Sequence, residues 1–189
     1  MIDTLLKIID RLLVFREKVR ERKQAVFKDL VEPTFSELSE IHNNYLTQFV
    51  EAKEMCLNNQ TLEPTLAFLN FKQMEFAPVR DKLAALATVL KDSRQIEARG
   101  LHDTLSFFES VSDYFPTGDL IIGGGTAWAS LIQVLEAHHS QQLNDINGNW
   151  LELRDMTPPE CIDLFVKHQR EKWRKVSYCY AILKEQQLS

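Results

Sequence analysis

A run of three glycines before a threonine is the most enzyme-like feature of this sequence. Gly123, Gly124 and Gly125 precede Thr126, which is a plausible N-cap for the helix that follows. Backbone N–H groups at a helix start can hold an anion, and glycine lets a phosphate approach closely. However, no P-loop lysine follows, and Trp128 stands where a dinucleotide loop needs its third glycine. We expect a joint between helices here, and a phosphate-ligand-binding enzyme using Gly123–Thr126 is one alternative function.

Two histidine-containing patterns are candidates for a metal or catalytic site. Glu136 and His139 have the Glu-x-x-His spacing, but a carboxylate-bridged di-iron bundle needs two such motifs and two further glutamates. We expect His139 to be exposed and His138 to be partly buried and hydrogen-bonded. His42 lies on a regular apolar seam, and the sequence assigns no nucleophile to it, so we interpret it as a polar residue within a helix contact. No cofactor is predicted, and a non-catalytic role is favoured.

The composition is that of a globular chain poor in turn residues. The 189 residues include six glycines and six prolines, which argues against turn-rich β folds, and a hydrophobic content of 44% argues against disorder. No apolar run reaches the ~18–20 residues of a membrane-spanning helix. The three cysteines are widely spaced, and we expect them to be reduced thiols. A cytoplasmic protein without a membrane partner is predicted.

Apolar residues recur at spacings of three and four along most of the chain, which predicts an all-α bundle of about six or seven helices. Pro33 and Pro78 are each predicted to open a new helix, because the missing N–H is not needed in a first turn. The predicted helices lie at about 3–31, 33–57, 64–76, 78–90, 94–115, 126–142 and from 158 to the end of a long C-terminal helix.

The first two helices carry apolar residues in matching seven-residue repeats. These heptad seams predict a long N-terminal helical hairpin, with a kinked continuous helix as the alternative. We predict a single helical domain over residues 1–189. Within it, 1–57 form the hairpin, which could project, 61–115 form central helices, and 126–189 form the C-terminal helices after the glycine-rich joint.

Each long helix also carries a second apolar row, and one neighbouring helix does not cover two rows. Such rows predict a helical interaction or scaffold subunit that binds other protein chains, its own copies included, as an accessory component of a larger assembly. The candidate interface residues share a position on these rows or seams: Leu6, Leu12, Leu13, Phe27, Phe49, Trp173 and Tyr180.

Charge is unevenly distributed and offers a second alternative function. Residues 1–31 hold eight basic and five acidic side chains, residues 32–76 hold two and seven, and residues 159–189 hold six and four. A nucleic-acid-associated subunit would use the basic first and last helices, but interleaved acids and a net charge of −5 favour solvated helix faces instead. The nucleic-acid candidates on the last helix are Lys167, Arg170, Lys172, Arg174 and Lys175.

Overall fold

The computed structural model describes residues 23–91, 102–115, 126–143 and 153–186, and the regular structure of these residues is helical. The predicted all-α fold is confirmed. Helix α1 comprises an α-helical turn, a π-helical turn and a long α-helix, at Lys23–Val26, Phe27–Val31 and Glu32–Asn58. The other four described helices are α2 (Glu63–Lys91), α3 (His102–Ser112), α4 (Ala127–His139) and α5 (Pro158–Gln186).

The predicted number of helices was slightly too high, because two prolines lie inside continuous helices. A hairpin turn at Glu32–Pro33 is wrong: Glu32 has helical angles of φ −63° and ψ −47°, and its N–H bonds to the carbonyl of Phe27. Pro33 cannot donate to the carbonyl of Asp29, and the wider π-helical turn accommodates this loss without reversing the chain. The alternative of one continuous helix describes residues 23–58, while residues 3–22 lie outside the described residues.

The second proline, Pro78, lies in the middle of α2 rather than at the start of a new helix. A proline in a helix interior costs about 3 kcal/mol because it removes one hydrogen bond and crowds the preceding turn. Buried residues on both sides of it, Leu69 and Leu83, are fully shielded from solvent. Side-chain burial therefore outweighs the local preference for a helix boundary.

Local capping interactions explain where α4 and α5 begin. The hydroxyl oxygen of Thr126 accepts a hydrogen bond from the N–H of Ala129 at 3.3 Å, which confirms the predicted N-cap. At the start of α5, the carboxylate of Glu160 accepts hydrogen bonds from the backbone N–H and the hydroxyl of Thr157, both at 2.7 Å. These bonds lower the pKa of Glu160. The predicted helix start at Thr157–Glu160 is therefore confirmed.

The described residues fall into two compact units. Unit 1 comprises residues 23–41, 78–91, 102–114 and 172–186, and unit 2 comprises residues 42–77, 115, 126–143 and 153–171. The boundaries fall within α1, at Pro78 in α2, after α3 and within α5. The single-domain assignment for residues 1–189 stays a prediction.

Unit 1 contains a stack of aromatic rings from three helices. The rings of Phe35 and Tyr180 are nearly parallel, with centroids 3.8 Å apart, and Trp173 stacks on Phe35 at 5.2 Å. Phe27 and Phe107 lie within 5.7 and 6.4 Å of the Tyr180 ring. Aromatic contacts of this kind add about 0.5–1.5 kcal/mol each beyond the burial of apolar area. They join α1, α3 and α5.

Unit 2 is centred on Trp128, which is fully buried at the start of α4. Its indole N–H donates to the carbonyl of Leu69 at 3.0 Å. Its ring meets Tyr45 edge-on at 4.7 Å, and Phe49 and Phe76 lie at 5.0 and 6.2 Å. One side chain therefore joins the second half of α1, the first half of α2 and α4.

Candidate functional site

The described interface candidates lie within the packed units. Phe27 and Phe49 are 7% and 0% exposed. Trp173 and Tyr180 are partly buried within the aromatic stack of unit 1. Leu6, Leu12 and Leu13 lie outside the described residues. An outward-facing apolar surface in the described part of the chain must therefore be formed by other residues.

Such a surface lies on the first half of α2, in unit 2. Phe71 is 65% exposed and Met74 is 77% exposed. Residues three apart in a helix share a face, and the exposed residues Ala67 and Pro64 continue this face at steps of four and three. We call Pro64, Ala67, Phe71 and Met74 the α2 face. Its first two side chains are small, and the two large apolar side chains follow at its C-terminal end.

The α2 face is turned outward because the opposite side of the helix is already covered. Leu66 and Leu69 are buried, and the Leu69 carbonyl holds the Trp128 indole. Phe71 follows Leu69 by two residues, which at 100° per residue places it on the far side of the helix. The buried row and the exposed row therefore lie on opposite sides of α2.

Polar groups border the α2 face on one side. The Lys72 ammonium lies 5.6 Å from the centroid of the Phe71 ring and forms an ion pair with Glu75 at 2.8 Å. Pro78 has no N–H, so the carbonyl of Met74 lacks its usual intrahelical donor. Met74 therefore combines a highly exposed apolar side chain with a backbone carbonyl that lacks the helical hydrogen bond from position 78.

A second cluster brings together a cysteine and a histidine that the sequence did not associate. Cys161 Sγ lies 3.5 Å from His138 Nε2, and both atoms lie near the carbonyl oxygen of Leu153, at 3.7 and 3.0 Å. The carbonyl only accepts, so Nε2 donates to it in the tautomer that carries hydrogen on Nε2. The predicted environment of His138, partly buried and hydrogen-bonded, is confirmed. No signal could have identified this pair, because the residues lie 23 positions apart.

The chemistry of this cluster is that of a buried structural contact. Burial, with the nearby Glu160 carboxylate, raises the pKa of the Cys161 thiol to about 12. A nucleophilic cysteine needs a depressed pKa and a base able to accept its proton. Here the thiol stays protonated, because its pKa is raised rather than depressed. The cluster therefore ties Leu153 to α4 and α5.

His42 occupies the interior position that its seam indicated. It is 4% exposed, and burial, together with the nearby positive charge of Arg170, lowers its pKa to about 4. Gln169, fully buried on α5, has no hydrogen-bond partner for either amide atom among the described residues.

The nucleic-acid candidates on α5 differ in their surroundings. The Lys172 ammonium donates to the carbonyl of Tyr114 at 3.3 Å, and burial lowers the pKa of Lys172 to about 8. Lys175 pairs with Asp113 at 3.4 Å. The other three candidates, Lys167, Arg170 and Arg174, are exposed. The basic stretch therefore does not present all five cations to solvent, and the nucleic-acid function stays a prediction.

The remaining site hypotheses concern phosphate and metal binding. Gly123, Gly124 and Gly125 lie outside the described residues. His139 is exposed, as predicted, and its Nε2 lies 3.9 Å from a carboxylate oxygen of Glu63. Within residues 23–91, 102–115, 126–143 and 153–186, no three His, Cys, Asp or Glu side chains are arranged to hold a metal ion.

No family model, curated protein or solved structure matches the chain. Among the described helices, none is long and apolar enough to cross a membrane. The cytoplasmic location stays a prediction. The function is therefore inferred from the side chains themselves, and the α2 face is the candidate site.

Proposed function

We propose that this chain is a non-catalytic interaction subunit that binds another protein chain through the α2 face, as an accessory component of a larger assembly. The supporting observation is the exposure of Phe71 and Met74, at 65% and 77%, three residues apart on one helix. Adjacent large apolar side chains on a soluble domain mark contact surfaces, whereas single exposed ones are common.

The size and shape of the α2 face suit a helix–helix contact. Burying a phenylalanine or methionine side chain contributes about 1.5–3 kcal/mol. The small side chains of Ala67 and Pro64 leave room for a second helix to approach to the usual 8–10 Å between axes. Methionine also adapts its shape to the surface that it meets. An amphipathic helix lying along α2 would cover Phe71 and Met74 together.

A non-catalytic role is also supported by the Cys161–His138 cluster. Its side chains have the composition of a nucleophile and a base, but the pKa of the thiol is raised rather than lowered. The buried His42 is held neutral by its surroundings and lies away from solvent. These groups fit stabilising roles within unit 2.

The direct test is quantitative co-purification of the tagged chain from cells that express it. The Phe71→Ser/Met74→Ser double variant is compared with wild type, and Tyr178→Ser is the matched control because Tyr178 is 68% exposed on α5. We expect a stoichiometric protein partner with wild type and with the control, and at least a tenfold loss with the double variant. Equal recovery of all partners by the double variant would contradict the proposal.

Two measurements on the purified proteins complete this test. Urea denaturation should give the double variant a free energy of unfolding within about 1 kcal/mol of wild type, because surface substitutions rarely do more. Light scattering then shows whether the bound chain is a second copy. A concentration-dependent dimer that the double variant abolishes would support the proposal with self-association, whereas a monomer that recovers no partner would reject it.

A further inference from the structure

We infer that the occupant of the α2 face is a basic amphipathic helix of a partner chain. This inference rests on the proposed function and adds the chemistry of the partner to it. Its basis is the charge that accompanies the apolar surface in unit 2. Residues 42–77, which provide the unit 2 parts of α1 and α2, contain four glutamates and two lysines.

Both lysines of this stretch are already paired within unit 2. The Lys53 ammonium lies 2.5 Å from a carboxylate oxygen of Asp163, and Lys72 pairs with Glu75 at 2.8 Å. Exposed ion pairs of this kind contribute about 0–1 kcal/mol to stability, but they neutralise the cations locally. Residues 42–77 therefore have no lysine left to balance their other glutamates.

Within residues 42–77, three glutamates remain without a lysine or arginine partner among the described residues. Glu51, Glu54 and Glu63 are exposed, and Glu63 faces only the imidazole of His139 within ion-pair distance, at 3.9 Å. Carboxylates so placed attract cations and repel an acidic partner. These carboxylates therefore favour a partner with basic side chains over one with acidic side chains.

Apolar and acidic groups also alternate on the outer side of α1. Val50 and Leu57 are 47% and 65% exposed, and Glu54 lies between them on the same side of the helix, four residues after one and three before the other. A partner that buries apolar side chains here must also meet a carboxylate. Lysine and arginine suit that position, because their long stems cover apolar surface while the charged end reaches an acid.

The backbone of α2 adds one further hydrogen-bond acceptor, a carbonyl oxygen with a partial negative charge. The carbonyl of Met74 lacks the N–H that a residue other than proline at position 78 would supply. Lysine and arginine carry only donors, whereas aspartate and glutamate carry only acceptors when ionised. Lysine and arginine therefore match the Met74 carbonyl on α2, and Glu63, directly before Pro64 in the chain, is a carboxylate next to the α2 face.

The test is fluorescence anisotropy of the full chain with three labelled peptides of about 18 residues, or five helical turns. One peptide places leucines on one helical face and lysines on the other, the second replaces the lysines by glutamates, and the third has the lysine–leucine composition in scrambled order. We expect the basic amphipathic peptide to bind with a dissociation constant at least tenfold below those of the other two.

Variants of the protein separate the apolar and the electrostatic contributions. Phe71→Ser/Met74→Ser should weaken binding of the basic amphipathic peptide at least tenfold, and Tyr178→Ser should leave it unchanged. Glu51→Lys/Glu54→Lys should weaken it several-fold and reduce its dependence on salt, because the attracting carboxylates are replaced. Equal binding of the basic peptide to wild type and to Phe71→Ser/Met74→Ser would overturn the inference, since nonspecific attraction alone would then explain binding.

The remaining outcomes distinguish this inference from the proposed function. If the basic and acidic amphipathic peptides bind equally and both require Phe71 and Met74, the inference fails and the proposed function stands. If no peptide binds but a dimer forms that requires Phe71 and Met74, the occupant is a second copy, and the inference fails again. If no peptide binds, no dimer forms and no partner co-purifies, both fail.

Discussion

Two helical faces with the same spacing have opposite surroundings in this protein. On α1, Tyr45, Phe49 and Ala52 follow steps of four and three, and all three are buried. On α2, Phe71 and Met74 follow the same kind of spacing, and both are exposed. The spacing therefore identifies which side chains share a face, but it does not show whether the same chain covers that face.

The two faces differ because the α1 seam packs against Trp128, whereas Phe71 lies on the side of α2 away from it. In unit 2 the Trp128 ring packs against Tyr45 and Phe49 of α1. Its indole N–H donates a hydrogen bond to the carbonyl of Leu69 on α2. Phe71 lies on the other side of α2 from Leu69, so the same contact that buries the α1 seam leaves Phe71 exposed. The first prediction tests this difference directly.

The largest expected effect compares Phe49→Ala with Phe71→Ala. Phe49→Ala should reduce the free energy of unfolding by about 3–5 kcal/mol, because it opens a cavity beside Trp128. Phe71→Ala should change it by less than about 1 kcal/mol, since it removes only a partial contact with Lys72. Urea denaturation measures both. Similar losses for the two variants would remove the distinction between the covered and the exposed face.

The next largest expected effect is a pH dependence of the free energy of unfolding, caused by His42 in the α1 seam. The pKa of His42 is about 4 in the folded chain against 6.5 for an ordinary histidine, so the unfolded chain binds a proton first as the pH falls. The stabilisation is present above pH 6.5 and is lost as the pH falls towards 4. Between pH 7 and pH 5 the loss amounts to about 2 kcal/mol.

Urea denaturation at several pH values measures this loss, and His42→Gln is the comparison. The variant should lose less stability than wild type over the same pH range, because glutamine does not titrate. Identical pH profiles for the two proteins would show that His42 is accessible to protons in the folded chain and would contradict its burial in the seam.

A third prediction concerns a polar residue in the interior, the reverse of the exposed apolar pair on α2. Gln169 is fully buried, with no hydrogen-bond partner for its amide among the described residues. Gln169→Met should raise the free energy of unfolding by about 1–2 kcal/mol, because an unsatisfied buried amide is replaced by an apolar side chain of similar size. Thermal unfolding measures the effect. A melting temperature of Gln169→Met below that of wild type would show that the Gln169 amide is hydrogen-bonded and would contradict the prediction.

The smallest effect lies at the end of α4. Gln141 has a φ of 59°, and the N–H of Gln142 bonds to the carbonyl of Ala137 at 2.9 Å, as in a Schellman motif. Gln141→Gly should stabilise the chain by about 0.5–1 kcal/mol, because glycine adopts this conformation without a steric cost. Gln141→Ala serves as the control and should bring no such gain. A destabilised glycine variant would contradict the left-handed helix end.

Much of the fold followed from the sequence, and the exceptions have physical causes. Thr126 and Thr157 mark helix starts because their caps are local interactions. The sequence predicts helix starts at Pro33 and Pro78, because the preference of proline for a first turn takes no account of side-chain burial. That burial stabilises the continuous helices. The pairing of Cys161 with His138 depends on tertiary structure alone.

The candidate site was only partly predictable for the same reason. On α1, Val50 directly follows Phe49 but lies on another side of the helix and is 47% exposed. The interface candidate Phe49 came from the seam of the same helix and is buried, because the sequence does not show which row meets Trp128. The spacing of Leu69 and Phe71 places them on different sides of α2, but nothing in the sequence distinguishes an exposed side from a covered one.

The most direct test of the α2 face is hydroxyl-radical footprinting of the chain alone and within the assembly that co-purifies with it. Alone, Met74 and Phe71 should be modified much faster than the buried Phe49. Within the assembly, modification of Met74 and Phe71 should fall several-fold, while that of the exposed Tyr178 stays the same. Equal modification of Met74 and Phe71 in the two states would contradict the account.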